Sequence, residues 1–305
     1  MGIFPFFVIT IFLFSILSCG KEKGPDLKSK PNTPPVISSV SILPDKPNKD
    51  SELNLFIQSQ DPDGDPITYQ YQWMKNGEEM VGENKNTLKG GSFKKGDLLQ
   101  ARVTPSDGKV EGTPFLSAPT KIVNSPPVIQ EVWIEPKIAY ATDQLKVNIK
   151  SSDLDGDFIF YTYQWEINGN VLNDERGEFL EKGHFKKGDS VVVKVTPDDR
   201  ETLGIPKKSE PLIISNSPPV ILSSPPTSVE KTTYLYQVRA ADPDNEPILF
   251  HLKTGPKGMQ MDEKTGLIRW EIRKEYQGTH PVEIEVSDDS GAKTIQRYTL
   301  AIDFR

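Results

Sequence analysis

Three acidic triplets are the residues of this sequence best suited to chemistry. Each places carboxylates at alternating positions of a short segment, and the triplets are Asp61, Asp63 and Asp65; Asp153, Asp155 and Asp157; and Asp242, Asp244 and Glu246. Ca²⁺ takes six to eight oxygen ligands, and alternating carboxylates in one turn can supply several of them together. Three neighbouring carboxylates also repel one another unless solvent or a cation compensates their charge. The pattern predicts calcium sites with the aspartates as ligands.

A plain β-turn is the alternative interpretation of these triplets. Residues 61–65 read DPDGD, and Asp, Pro and Gly each favour turns for local backbone reasons. An EF-hand is excluded, because its loop needs Gly at the sixth position and Glu at the twelfth, where Gly64 is fourth and Gln72 is twelfth. A turn requires only one of the carboxylates, so both interpretations stay open.

The only cysteine, Cys19, closes an apolar run at positions 3–17. That run is short for a membrane-spanning helix but suits the hydrophobic region of a signal peptide. Residues 16–19, ILSC, resemble the bacterial lipobox, which implies cleavage after residue 18 and attachment of a lipid to Cys19. The bulky Leu17 and the lack of Lys or Arg before the run depart from that pattern. An ordinary secretory signal or an N-terminal membrane anchor is the alternative.

The segment after the cysteine predicts where the chain is displayed and how it is attached. Gly20 stands where an Asp would imply retention at an inner membrane, so the lipobox resemblance favours the outer membrane or the cell surface. Residues 20–33, GKEKGPDLKSKPNT, are polar and free of aromatics, so they cannot build a core. We expect residues 19–33 to form a lipidated cysteine with a flexible tether.

No catalytic constellation is evident in the sequence. His184, His251 and His280 occupy different positions of different repeats and do not form a metal-binding spacing such as HExxH. The serines of residues 104–108 and 287–291 fall in segments typical of hairpin loops. A hydrolase needs a nucleophile with a base, or paired acids beside a cleft, so the sequence predicts a protein that is not an enzyme.

The acidic triplets lie in repeated units of the sequence. A shift of 92 residues brings PPV at 34–36 onto PPV at 126–128, and FKKGD at 93–97 onto FKKGD at 185–189, without a gap. A third unit begins with PPV at 218–220 and then diverges. A period of this size denotes whole domains. The predicted bounds are a signal peptide at 1–18, the tether at 19–33, and domains at 34–125, 126–217 and 218–305.

Within each unit the hydrophobic period is two, which is typical of strands with one buried face. Leu53, Leu55 and Ile57 occupy alternate positions of one segment, and the aromatic stripe of residues 69–73 ends before Asn76-Gly77, a strong hairpin signal. Short strands in units of this length predict sandwiches of two antiparallel sheets. We therefore expect an all-β protein of three tandem immunoglobulin-like or cadherin-like domains.

Composition narrows the choice of partners. The chain has 36 Lys and Arg against 43 Asp and Glu, a net charge of −7, and its lysines are scattered. Nucleic acids require clustered basic residues to displace counterions, so no nucleic-acid partner is expected.

The third unit resembles the immunoglobulin-like, cadherin-like domains of bacterial surface proteins and of dystroglycan. The segments that carry the resemblance are YQVRAADPD at 236–244, GM at 258–259, DEKTGLIRW at 262–270 and VSDDSG at 286–291. It implies adhesion, spacing or protein contact, and calcium bound by Asp242 and Asp244, with the aspartates of the other units as ligands by internal analogy. The linker carboxylates of cadherins are missing, because the junctions read NSPP at 124–127 and 216–219.

Together these patterns predict a lipid-anchored interaction, adhesion or spacer protein of the bacterial cell envelope. Its expected partners are a membrane, through the lipid, and an unidentified protein or glycan. Carbohydrate binding is one alternative, with Trp133 as the candidate contact because its counterpart one repeat earlier is Ser41. A role as an accessory component of an envelope complex is another.

Overall fold

Strands account for almost all the regular structure of the chain. A computed structural model describes residues 30–226, 229 and 232–303. Within these ranges the only helical element is a 3₁₀ turn at Lys274–Tyr276. No helix in the described part is long and apolar enough to cross a membrane. The predicted all-β fold class is confirmed.

The first domain consists of two packed sheets. Its strands are β1 (Val36–Leu43), β2 (Leu53–Gln60), β3 (Thr68–Lys75), β4 (Glu78–Glu79), β5 (Thr87–Leu88), β6 (Leu98–Ser106), β7 (Phe115–Leu116) and β8 (Thr120–Lys121). One sheet has the order β1-β2-β5, and the other has the order β4-β3-β6-β7 with β8 paired to β6. All pairings are antiparallel.

The second domain repeats this arrangement. Its strands are β9 (Val128–Glu135), β10 (Ala139–Tyr140), β11 (Leu145–Ser152), β12 (Phe160–Ile167), β13 (Asn170–Val171), β14 (Phe179–Leu180), β15 (Ser190–Asp198), β16 (Lys207–Lys208) and β17 (Leu212–Ser215). One sheet has the order β14-β11-β9, and the other has the order β10-β17-β15-β12-β13 with β16 paired to β15. The β10–β17 pair is parallel.

The register of the strands follows the sequence repeat. Trp73 pairs with Ala101 between β3 and β6, and Trp165 pairs with Val193 between β12 and β15, one repeat later. The Asn76-Gly77 turn has positive φ angles of 54° and 86°, as the hairpin signal predicts. The duplication is therefore a duplication of three-dimensional structure.

The third domain has a different strand pattern. Its strands are β18 (Val220–Ile221), β19 (Thr233–Gln237), β20 (Ala240–Ala241), β21 (Ile248–Thr254), β22 (Gln260–Met261), β23 (Leu267–Glu271), β24 (Gly278–Asp288) and β25 (Lys293–Ile302). They form the sheets β18-β20, β19-β23-β22 and β21-β24-β25.

Each domain has its own hydrophobic core around one buried tryptophan. Trp73, Trp165 and Trp270 are 0%, 0% and 1% exposed, and each belongs to a separate cluster of buried residues. The indole N–H of each donates to a backbone carbonyl, that of Lys85, Gly177 or Lys257. Trp270 lies on β23, so the third core has its tryptophan on a strand that the first two domains do not use for it.

Candidate functional site: the domain junctions

The three acidic triplets form loops of one shared geometry, which we call the acidic loops: residues 61–65, 153–157 and 242–246. In the first loop Asp61 Oδ1 accepts the backbone N–H groups of Asp63 and Asp65, at 2.8 and 3.2 Å. Asp153 and Asp242 accept the corresponding pairs of N–H groups in the other two loops. The first carboxylate of each triplet therefore holds the turn, which is the role the turn interpretation predicts for one of the three.

The second carboxylate of each triplet binds the linker that precedes its domain. Asp155 Oδ2 accepts the backbone N–H of Ser125 at 2.6 Å, and Asp244 Oδ2 accepts that of Ser217 at 2.6 Å. Before the first domain, Asp63 Oδ2 accepts the N–H of Thr33 at 2.7 Å, and this bond lowers the pKa of Asp63. The serine N–H groups and the carboxylates lie in different predicted domains, so these bonds fix where one domain starts relative to the next.

An asparagine of the linker makes a second contact to each domain. The Asn124 Nδ2 donates to Asp199 Oδ2 at 2.6 Å and to Thr202 Oγ1 at 2.8 Å. Burial disfavours the Asp199 carboxylate, but hydrogen bonds from Thr202 and Asn124 outweigh burial, and the pKa of Asp199 is lowered. Asn216 donates to Asp288 in the third domain in the same way, at 2.8 Å.

The equivalent contact before the first domain involves a residue of the predicted tether. Asn32 Nδ2 donates to Asp107 Oδ2 at 2.7 Å, and this bond is the main reason why the pKa of Asp107 is lowered to about 2. Asn32 and Thr33 are therefore bound to the first domain, although the sequence places them in the flexible tether.

The third carboxylate of each triplet pairs with a lysine. Lys95, from the first domain, donates to Asp157 Oδ2 at 2.6 Å, and Lys187, from the second domain, pairs with Glu246 of the third. In the first domain the lysine comes from the same domain: Lys109 donates to Asp65 Oδ2 at 2.6 Å. Each acidic loop thus carries a positive charge against its last carboxylate.

Some buried oxygens of the loops have no hydrogen-bond partner, and these oxygens are available as ligands for a metal ion. Nine such buried oxygens belong to the loops and the linkers: Oδ2 of Asp61, Asp153 and Asp242, Oδ1 of Asp155, Asp244 and Asn216, Oε2 of Glu246, and the hydroxyl oxygens of Ser125 and Ser217. In the described part of the chain, only the second loop brings one oxygen from each of three carboxylates within 4.8 Å of one another. This loop therefore offers three carboxylate oxygens to one cation, a donor set that a calcium ion could complete with waters.

The remaining predicted site residues lie elsewhere. Trp133 is half-buried on β9, and its indole N–H donates to Glu135 Oε1 at 3.2 Å. It lines a shallow surface cavity together with Lys137, Lys207 and Glu210. Cys19 lies outside the described residues.

Sequence reasoning singled out the carboxylates and missed their partners. The linker asparagines and the second lysine of each FKKGD segment recur at the repeat spacing, at Asn32, Asn124 and Asn216 and at Lys95 and Lys187. That recurrence was the available signal. Only the fold shows that the lysines meet the acidic loops of the following domain and that the asparagines bind Asp107, Asp199 and Asp288.

Comparison with protein families matches one domain of the chain. Residues 218–303 match the model of the family described as "Putative Ig domain", and this covers the third domain. No curated protein sequence matches the chain.

Solved structures similar to the chain include multidomain proteins with immunoglobulin or cadherin domains. Sidekick-1 immunoglobulin domains 1–5 align with 13% identity and a TM-score of 0.33 over 92% of this chain and 61% of theirs. The insect immune protein hemolin aligns with 13% identity and a TM-score of 0.36 over 85% and 73%. Cadherin domains 3–6 of protocadherin gamma B2 align with 11% identity and a TM-score of 0.27 over 88% and 78%. The chain spans less than two thirds of the Sidekick-1 fragment.

Proposed function

We propose that the chain is a lipid-anchored spacer and adhesion protein of the bacterial cell envelope, which holds immunoglobulin-like domains in line away from the membrane. The observation that carries this proposal is the repeated junction. Before every domain the same two linker positions bind the same two acidic positions of that domain, through the bonds to Asp63, Asp155 and Asp244 and those to Asp107, Asp199 and Asp288. Each linker is therefore fixed at the point where it enters the domain that follows it.

The linker sequence favours the same function. Two prolines follow each Asn-Ser pair, at 126–127 and 218–219, and proline fixes φ and biases its neighbour toward extended backbone. Together with the hydrogen bonds, the prolines leave each linker few conformations. The longest strand, β24, has 11 residues and so spans about 37 Å at about 3.4 Å per residue. Three such domains in line reach roughly 110 Å, and this length is useful for display beyond a membrane surface.

Small-angle scattering of the chain lacking residues 1–19 tests the proposed shape. A line of three domains about 110 Å long has a radius of gyration of roughly 32 Å, whereas a compact globule of this size has about 19 Å. A value near 32 Å supports the spacer. A value near 19 Å means that the domains fold back on one another, and the spacer proposal is then wrong.

The lipid anchor is tested separately on the full chain. Cys19→Ser removes the acceptor thiol, so we expect the variant to lose incorporation of labelled palmitate and to leave the membrane fraction of a bacterial host. Ser18→Ala, which keeps a small residue before the cysteine, is the control. Equal membrane association of Cys19→Ser and the wild type means that the anchor is not a lipid on this residue.

Calcium binding is a second candidate property, favoured by the three carboxylates of the second acidic loop that lie within 4.8 Å of one another. A ligand that binds only the folded state raises its melting temperature by mass action. We expect 2 mM CaCl₂ to raise the melting temperature relative to EDTA, with MgCl₂ giving less, and Asp155→Asn to abolish the rise. Identical melting curves in calcium and EDTA would remove this property and leave the spacer proposal standing.

Glycan binding is the remaining candidate, and it depends on Trp133. The indole is half-buried beside a cavity with lysine and glutamate side chains, which could hydrogen-bond to sugar hydroxyls. A glycan array with the wild type and Trp133→Ala tests it. Binding that persists in Trp133→Ala excludes this residue as the contact.

A further inference from the structure

The residues of the FKKGD segment have different structural roles. Phe93 is 1% exposed in the first core, and Asp97 fixes its own turn by accepting the Lys94 N–H at 2.9 Å and the Asn76 amide at 2.8 Å. Phe185 and Asp189 do the same in the second domain. The turn thus holds the second lysine, Lys95 or Lys187, at the end of its domain that faces the next one.

Lys95 is held by three oxygen acceptors. Its Nζ lies 2.6 Å from Asp157 Oδ2, 2.7 Å from Glu201 Oε1 and 3.0 Å from Asn124 Oδ1, and the side chain is 29% exposed. Three acceptors satisfy all three N–H bonds of an ammonium group. One of these acceptors, Asp157, also belongs to the carboxylate cluster that could hold a calcium ion.

Lys187 forms the equivalent contact at the next junction. Its Nζ pairs with Glu246 and with the hydroxyl of Ser290, and Ser290 in turn donates to Glu246 at 3.0 Å. The first lysines of the two segments, Lys94 and Lys186, form no ion pair in the described part of the chain. The second lysine of each segment therefore contacts the next domain, whereas the first lysine is exposed to solvent.

The first acidic loop is paired with a lysine of its own domain. Lys109 bonds to Asp65 and, at 3.2 Å, to Asn32 Oδ1, the counterparts of Asp157 and Asn124. One repeat later the position of Lys109 is occupied by Glu201, which instead receives Lys95. The charge at this position is therefore positive in the first domain and negative in the second, where Lys95 of the first domain contacts it.

We infer that the second lysine of each FKKGD segment, Lys95 or Lys187, acts as the cation of the following acidic loop and locks neighbouring domains together without a metal ion. Lys109 closes the first loop from within its own domain. This inference goes beyond the spacer function, because a spacer could be stiffened by prolines or by calcium alone.

Calcium and the lysine compete under this inference. An ammonium 2.6 Å from Asp157 repels a divalent ion approaching the same carboxylates. Any calcium site in the second loop is therefore weakened by Lys95, and we expect Lys95→Met to bind calcium more tightly than the wild type does.

The test measures the order of the first junction in EDTA. In a Cys19→Ser chain, spin labels at Glu78→Cys and Asn170→Cys mark exposed positions one repeat apart in the first and second domains. We expect a narrow distance distribution for this chain, at least twofold broadening with Lys95→Met, and no broadening with Lys94→Met as the matched control. A broad distance distribution in the labelled chain that keeps Lys95 overturns the inference. Equal widths for Lys95→Met and Lys94→Met overturn it as well.

A second variant tests the same idea without deleting the lysine. Glu201→Lys should place an ammonium where Lys109 lies in the first domain, so that it fills the second loop from within and displaces Lys95. The junction should then broaden as it does with Lys95→Met, whereas Glu210→Lys, the same charge change at an exposed position, should leave it unchanged. An unchanged width with Glu201→Lys contradicts the inference. A scattering radius near 32 Å with a broad label distribution would retain the spacer and reject the lysine lock.

Discussion

Replacement of the linker asparagine Asn124 by alanine removes both side-chain contacts through which the linker holds the second domain. The lost donor bonds go to Asp199 at 2.6 Å and to Thr202 at 2.8 Å, and the lost acceptor bond comes from Lys95 at 3.0 Å. Asp199 is 8% exposed, so solvent replaces its lost partner poorly.

The expected cost follows from the acceptor's charge. A hydrogen bond to a charged group contributes about 1.5 to 3 kcal/mol, and Asp199 keeps the backbone N–H groups of Glu201 and Thr202 at 2.8 and 2.6 Å. Because the carboxylate stays partly satisfied, we expect a loss near the middle of that range, about 2 kcal/mol. For a domain of this size each kcal/mol lowers the melting temperature by about 4 to 8 °C, so the second domain should melt about 8 to 16 °C lower.

Differential scanning calorimetry of the chain lacking residues 1–19 resolves this effect if the domains melt separately. The control is Asn173→Ala, whose side chain is exposed and makes no hydrogen bond in the described structure. Asn216→Ala should lower the third-domain transition instead, since its partner is Asp288. A shift of less than about 2 °C with Asn124→Ala, or an equal shift with Asn173→Ala, would refute the idea that the linker asparagine contributes to stability.

Three further predictions concern packing and pH. Gly204→Ala should lower the melting temperature of the second domain strongly, because a Cβ there would lie 2.0 Å from the Pro127 carbonyl oxygen, while Gly177→Ala, where the nearest atom is at 3.7 Å, should be tolerated in the same calorimetric measurement. Trp165→Phe should cost about 2 to 3 kcal/mol in urea unfolding, since it leaves a void in the core and removes the indole hydrogen bond to the Gly177 carbonyl. The Asp107 pKa, lowered to about 2, means that its contribution is complete above the unfolded value of about 3.9 and is lost as the pH falls toward 2. The destabilisation caused by Asp107→Asn should therefore be constant between pH 5 and 8 and disappear near pH 2, as measured by thermal unfolding.

Much of the fold could be predicted from the sequence because strand patterning is local. The alternation at Leu53, Leu55 and Ile57 and the Asn76-Gly77 turn each specify a backbone conformation through neighbouring residues alone, and the structure confirms both. The repeat then extended the prediction to the second domain. The predicted domain bounds and the lipid anchor stay predictions.

The rest could not be predicted because it depends on contacts between distant residues. Lys95 and Asp157 are 62 residues apart, and nothing in the composition of FKKGD indicates that its second lysine, and not its first, reaches the next domain. Trp270 serves as the core tryptophan of the third domain from β23, whereas Trp73 and Trp165 lie on β3 and β12, so an alignment of the repeats misses it.

The acidic loops show why neither a turn nor a metal site alone explains three carboxylates. In the second loop Asp153 holds the turn through two N–H groups, Asp155 holds the linker through one, and Asp157 holds the ammonium of the preceding domain. Carboxylates this close repel one another, and the repulsion is offset when each has its own donor. The spacing of two residues places the three side chains so that each reaches a different element. A loop with any one of them replaced would lose the turn, the linker or the neighbouring domain, and each loss can be measured separately.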